Sequence, residues 1–357
     1  MIARLPWIVT FVLWLAGGIV GCDDDPGPPE VVVYVSADRA VAIPILQAFT
    51  LETGIAVRPL FDTEATKTTG LANRIQREKE RPRADVFWSS EPFAVEQLAA
   101  EGLLSPVNHA LLESHPDHWR RPDGRWHAFA GRARVIAFDP ERVPIEERPR
   151  FWSDLADPKW RDRIAMADPR FGTTRGHVGA IAAAGALGPG GMTFEEWTDA
   201  IARNRVRIMP GGNAATADAV VRGEVLLGLT DSDDVLVLLR RGVRIAAVAP
   251  RHLAEGVAAG GTMLIPNAAG MITGSQRPEL ASRLVAYLAS AGVEEMLLHS
   301  PSGNLPVAHP EILSAEIPLE HSIVAPDPWA VSIPEVAVEM DRAVDAVMDS
   351  LAGGENP

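Results

Sequence analysis

Residues 31–61, VVVYVSADRAVAIPILQAFTLETGIAVRPLF, and residues 84–102, ADVFWSSEPFAVEQLAAEG, decide the fold. The β-branched run Val31–Val35 is bounded by turn-prone residues, and apolar residues recur at helical spacing from Arg39 to Thr53. The unit then repeats. Ile55–Leu60 predicts a strand, Thr66–Glu80 a polar-faced helix, Ala84–Trp88 a strand, and Pro92–Glu101 a helix ending at Gly102. Strands alternating with helices imply a parallel sheet covered on both faces.

Downstream, a Pro-, His- and Trp-rich stretch from Ser105 to Arg125 interrupts the rhythm, which resumes with strands at Arg134–Phe138 and Arg163–Met166. Helices at Arg175–Leu187 and Phe194–Asn204, a strand at Arg207–Met209, a helix at Ala214–Arg222 and a strand at Val225–Leu229 make a second α/β unit. Gly261–Ile265 and Gly270–Thr273 predict two strands returning to the first unit, ahead of helices at Pro278–Ser290 and Val293–Leu298. Between Pro334 and Leu351, the residues Val336, Met340, Ala343, Val344, Val347 and Leu351 share one helical face, so the tail is an amphipathic helix packed on the body. The expected architecture is α/β with two lobes, each a mixed, mostly parallel sheet flanked by helices. Lobe 1 takes 31–130 plus about 258–300, and lobe 2 takes 131–257 plus about 301–357 with the C-terminal helix. In open α/β sheets ligands bind outside the carboxyl ends of the strands, so the cleft between the lobes is where chemistry is expected.

Upstream, residues 1–21 read as an address. Arg4 supplies a basic start, and Leu5–Gly21 is uncharged and mostly apolar, the length of a signal-peptide core and short for a membrane span. Cys22, the only cysteine, follows Ile19, Val20 and Gly21 and resembles the bacterial lipobox, in which the new N-terminal cysteine is lipidated; leucine is the commoner residue where Ile19 stands. A plain secretory signal or N-terminal anchor with an incidental cysteine is the alternative. The run DDDPGPPE (23–30) suits a solvated tether, and Asp23 points to the periplasmic face of the inner membrane in a cell with two. One cysteine allows no internal disulfide, so the core alone holds the fold. The net charge of −14 disfavours nucleic acid and says nothing of a particular ligand.

Polar groups collect after the predicted strands: Ser36 and Asp38; Asp62, Thr63, Glu64, Thr66 and Lys67; Ser89, Ser90 and Glu91; Gly172, Thr173 and Thr174; Asn213; and Asp231, Ser232, Asp233 and Asp234. Each taken singly is a favoured helix cap. Together, helix N-termini converging on one cleft can bind an anion, with Gly172–Thr174 the best single candidate. Arg132 and Arg134 could reach an anion or form a structural ion pair, Trp88 could stack on a ligand or be buried, and His127 and His177 have no partner at zinc spacing. No G-x-S-x-G, H-E-x-x-H, P-loop or G-x-G-x-x-G is present, and Asp231–Asp234 lacks the glycine and glutamate of a calcium loop. No enzyme is expected; a secreted carboxylate-dependent hydrolase is the distant alternative.

The segments VYVSADRAVAIPILQAFTLETGIAVRPLFDTEATKTTGLANRI, ADVFWSSEP, AAEGLLSPV, GRARVIAFDPERV, DLADPKWRDRIAMADPRFGTTRGHVGAI, GGNAATADAVVRGEVLLGLTDSDD and GTMLIPNAAGMI, in this order from Val31 to Pro306, resemble the extracellular binding proteins of the ferric-iron ABC importer family. The resemblance implies the type II periplasmic-binding-protein fold, delivery of a solute to a permease and its ATPase, attachment to the membrane by the lipid, a periplasmic or cell-surface location and a monomer. It implies no cofactor beyond a metal ion or anion carried as ligand. In ferric members an anion rests on a helix start and an asparagine, matched here by Thr173, Thr174 and Asn213. Two adjacent tyrosines clamp the metal with a histidine and a glutamate; here the pair falls on Asp233 and Asp234, the histidine on Asp38, and the glutamate on or near Thr69. With Tyr34 and Tyr287 the only tyrosines, a tyrosinate iron site is excluded. The candidate binding set is therefore Ser36, Asp38, Thr63, Glu64, Thr69, Ser89, Gly172, Thr173, Thr174, Asn213, Asp231, Asp233 and Asp234, with Asp38, Asp233 and Asp234 facing any metal. The ligand is expected to be a divalent or trivalent cation with a bound anion, or a zwitterion whose amine meets the aspartates; a simple anion beside purely capping aspartates is the third reading. A lipoprotein that passes its ligand to a receptor, rather than a permease, fits the same residues.

Overall fold

The computed structural model describes residues 28–62, 69–258, 260–313, 328–329 and 331–353. The expected signal segment, Cys22, most of the tether, Thr63 and Glu64 lie outside them. The first lobe opens with β1 (Glu30–Ser36), α1 (Arg39–Thr53), β2 (Ala56–Phe61), α2 (Thr69–Arg77), β3 (Val86–Ser89), α3 (Phe93–Ala100) and β4 (Leu104–Ser105). A long strand, β5 (His127–Phe138), leads into β6 (Ile164–Ala167), α4 (Gly172–Ala184), α5 (Phe194–Arg203), β7 (Arg207–Met209), α6 (Gly212–Val221), β8 (Leu227–Asp231), α7 (Ser232–Arg240) and β9 (Ala246–Val248). The chain returns through β10 (Leu264–Ile272) to α8 (Pro278–Leu288) and α9 (Ala291–Leu298), and closes with α10 (Ile333–Gly353).

The strand order is β2-β1-β3-β10-β5-β8-β6-β7. β1 runs parallel to β2 and β3, and β6 runs parallel to β7 and β8, whereas β10 is antiparallel to β3 and to β5. β5 joins the halves. Its first part pairs with β10 as far as Ala133, and from Arg134 it pairs with β8. All twelve of its residues are buried, including two arginines, which is why the sequence pattern showed only its apolar second half. The two strands expected at Gly261–Ile265 and Gly270–Thr273 are one strand, β10. Pro266, which lacks an N–H, sits where the β10–β5 register shifts, so the strand runs through a residue that otherwise reads as a break.

The crossing is held by a buried acid. Glu294 of α9 accepts N–H groups from Ala130, Val307, Ala308 and His309 at 2.7–3.0 Å. Ala130 has φ +32, and its carbonyl accepts Asn267 Nδ2 at 2.7 Å, so both sides of this strained residue are fixed by side chains.

Each lobe buries apolar residues on both faces of its sheet. Val31, Val33 and Val35 pack under α1, α8 and α9, while Val32 and Tyr34 face α2 and α3. In lobe 2, Trp152, Trp160 and Trp197 fill the face under α5 and α10. α10 buries Val336, Met340, Ala343, Val344 and Val347, the three valines and Met340 each worth at most about 1.5–3 kcal/mol of burial. It packs along α4 and α5 and also touches α3. Between the lobes, the Phe93 ring lies so close to Gly176 that a Cβ there would come within 2.0 Å of it.

Candidate functional site

Five chain segments converge where β5 passes between the lobes. Lobe 1 presents the ends of β1 and β3. Lobe 2 presents the starts of α4 and α6 and the β8–α7 junction. Gly172 (φ +56) and Gly212 (φ +76) open α4 and α6 in the left-handed region, which costs a side-chain-bearing residue strain, and so place Thr173 and Asn213 one residue later at the same point.

At that point stands Asp231, the last residue of β8. It occupies the N-cap position of α7 but makes no capping bond; its buried carboxylate turns to the crossing strand instead. Arg134 Nη1 donates to Oδ1 at 2.6 Å. Thr173 Oγ1 (2.6 Å), Asn213 Nδ2 (2.9 Å) and Arg132 Nε (3.2 Å) donate to Oδ2. Burial alone would raise this carboxyl, but Arg134 and Arg132, with the Thr173 hydroxyl, hold it below the usual carboxylate range. Arg134 is fully buried, and its Nε and Nη2 have no partner among the described residues. Arg132 also reaches lobe 1, donating through Nη1 to the Ser90 carbonyl at 2.6 Å.

The next two acids behave in the opposite way. Asp233, with 21% of its side chain open to solvent, lies 3.6 Å from Arg132 Nε; burial, with Asp231 and Asp38 nearby, outweighs that arginine and pushes it up to about 6. Asp234 is raised well above the ordinary value by burial and by its two acidic neighbours. Thr230 Oγ1 lies 3.0 Å from both the Asn213 carbonyl and Asp234 Oδ2, one proton for two acceptors, an arrangement that a protonated Asp234 completes. One oxygen from each of Asp231, Asp233 and Asp234 lies within 4.8 Å of the others. Across the cleft, Asp38 is exposed at the start of α1, makes no side-chain cap bond, and is close enough for its charge to act on Asp233.

The structure thus gathers Asp38, Thr173, Thr174, Asn213, Asp231, Asp233 and Asp234. Thr174 Oγ1 donates to Asn213 Oδ1 at 3.2 Å. Ser36 and Ser89 are fully buried and serve lobe 1: Ser36 donates to Asp62, and Ser89 accepts the Glu91 N–H. Thr69 opens α2, its side chain outside the described residues. Glu91, raised by burial, accepts the Phe93 and Ala94 N–H groups and caps α3. Arg132 and Arg134 form the ion pair weighed in the sequence, and Trp88 is buried with its Nε1 on Asn267 Oδ1. Tyr34 donates to Glu78 and Tyr287 packs on Phe49, neither at a strand end. The partner of His177 escaped the sequence reading: His252 Nε2 lies 2.8 Å from His177 Nε2. Burial keeps both neutral, His252 at about 3 and His177 well below its ordinary value, with Arg134 adding to the effect.

Two α/β lobes joined by crossing strands, with charged groups at the strand ends of the cleft between them, define a two-lobed solute-binding protein. The sequence profile of bacterial extracellular solute-binding proteins matches residues 81–322, and the chain belongs to that family. It is 27% identical over 283 residues to iron uptake protein A1 of Synechocystis sp., covering 77% of this chain and 75% of the relative. Its fold matches the ferric binding protein from Campylobacter jejuni with TM-score 0.76 at 20% identity, over 90% of this chain and 99% of that one. It also matches the periplasmic binding protein AfuA from Actinobacillus pleuropneumoniae, solved with exogenous fructose-6-phosphate bound, with TM-score 0.70 at 17% identity over 91% and 99%. The fold therefore carries different ligands, and the site must argue for its own. The protein is a receptor rather than an enzyme.

Proposed function

We propose that the protein captures a hard cation, with ferric iron the first candidate, in the cleft and delivers it to an ABC permease and its ATPase from the periplasmic side, tethered by a lipid on Cys22. The observation that carries this reading is the acidic pair Asp233 and Asp234 at the start of α7, with one oxygen of each within 4.8 Å of the other and of the Asp231 carboxylate, opposed by Asp38 from the other lobe. Oxygen donors in this number suit a hard ion. The names of the iron-uptake and ferric-binding relatives agree with it. Closure over the ion would bring Asp38 onto Asp233 and Asp234, so that ligand contacts from both lobes stabilise the closed form.

The test is a thermal-shift screen of trivalent and divalent metal ions beside amino acids, aminophosphonates and sugar phosphates. A ligand at 100 times its Kd adds about 2.7 kcal/mol of stability. Ferric or gallium ions should give the largest shift, and Asp233→Asn should abolish it. If an organic solute stabilises the protein and trivalent ions do nothing, the cation reading is wrong.

A further inference from the structure

Four side-chain donors close on one carboxylate at the heart of the cleft. Arg134 Nη1 meets Asp231 Oδ1, while Thr173 Oγ1, Asn213 Nδ2 and Arg132 Nε meet Oδ2. The two neutral donors are used up. Thr173 has one hydroxyl proton and gives it to Asp231; Asn213 has two amide protons and gives them to Thr173 Oγ1 (2.7 Å) and to Asp231. Hydroxyl, amide and guanidinium arranged around two oxygens are the donor set of an oxyanion seat, and here the oxygens belong to the protein.

We propose that Asp231 is a built-in counter-anion: its carboxylate fills the oxyanion seat made by Thr173, Asn213 and Arg134, so that the cation enters without an accompanying free oxyanion. The proposal rests on the cation reading of the cleft. Asp231 is one residue from Ser232 and two from Asp233 on a rigid strand-to-helix junction, so the fixed negative charge stands beside the cation-facing acids at no cost in bound solute. A free anion brought to the same donors would have to displace Asp231 or be buried beside it against like charge. Arg134 Nε and Nη2, without partners among the described residues, are the side-chain donors such an anion would compete for, and they make the proposal testable in the unaltered protein.

The probe is terbium(III), a hard luminescent trivalent ion, titrated into the full chain in sulfonate buffer stripped of carbonate and phosphate, then again with millimolar bicarbonate. The wild-type affinity should agree within about twofold between the two buffers. Asp231→Asn, which keeps the shape and removes the charge, should bind terbium about tenfold or more weakly without bicarbonate and recover when it is added, a change of roughly 1.4 kcal/mol or more. In a second arm without metal, sulfate should raise the melting temperature of Asp231→Asn and leave the wild type unmoved. A wild type that needs bicarbonate to hold terbium, or that sulfate stabilises saturably, overturns the proposal, and both readouts are independent of whether the variant folds well. If neither protein binds terbium while sulfate acts on the variant alone, the built-in anion stands and the cation reading falls.

Discussion

Arg134 and Asp231 face each other where β5 passes from β10 to β8, Nη1 to Oδ1 at 2.6 Å, with the arginine fully buried. Such a pair contributes little over an apolar isostere but is expensive to break from one side. Arg134→Met should therefore destabilise the protein by about 3–5 kcal/mol in urea denaturation. Adding Asp231→Leu should restore most of that. Equal and additive losses from the two substitutions would show that the residues are not coupled.

Cation affinity should depend on acidity through the two raised carboxyls. Burial pushes Asp233 up to about 6 and raises Asp234 well above the ordinary carboxylate value, so a cation must displace protons that ordinary carboxylates would already have lost at that pH. Affinity should fall as pH drops below about 6, by up to about tenfold per unit for each proton displaced. Terbium titrations of the unaltered protein at a series of pH values read the slope. A profile flat across this range in the wild type contradicts the assignment.

The His177–His252 pair contributes to acid sensitivity, in the same direction as His127, which burial also lowers to about 3. Both folded values lie below the ordinary histidine, so the unfolded chain binds more protons and stability falls as pH drops from about 6.5 toward about 3. Each histidine adds up to about 1.4 kcal/mol per pH unit to that slope. His177→Gln should lower the slope measured by urea melts in this window; an unchanged slope would place the acid sensitivity elsewhere.

Ferric loading should leave the protein without a visible charge-transfer band, because Tyr34 lies within β1 on Glu78 and Tyr287 lies on α8. Absorbance after ferric addition checks this. A red-violet band that Tyr34→Phe removes would show phenolate ligation.

Gly176 is where α4 of one lobe meets α3 of the other. Gly176→Val should push the Phe93 ring away and hold the lobes apart, raising the radius of gyration in small-angle scattering and weakening ligand binding, with a loss of about 1–3 kcal/mol from overpacking. An unchanged radius with intact affinity would mean that the ring moves aside within its own lobe.

The alternating elements of both lobes were legible because strands such as Val31–Val35 and helices such as Phe194–Asn204 carry periodicity strong enough to read locally. So was the set of strand ends that forms the cleft, since topology alone puts them together. What Asp231 does was not legible. Its position argued for a cap, and the arginine that claims it stands 97 residues away, a pairing that no spacing encodes. His252 lies 75 residues from His177, and each looks solitary. The first half of β5 was hidden for a related reason: Arg132 interrupts the apolar pattern, and the acid that lets it lie buried within a strand stands 99 residues away.

β10 occupies a central place in the sheet, between β3 and β5, although it is made after all the strands of lobe 2. α10, made last, covers the apolar face of α4 and α5. Neither lobe can close its core while the ribosome still holds the C-terminal part of the chain. Contacts of such sequence separation form slowly, so the core of each lobe is completed late, only after β10 and α10 have been made.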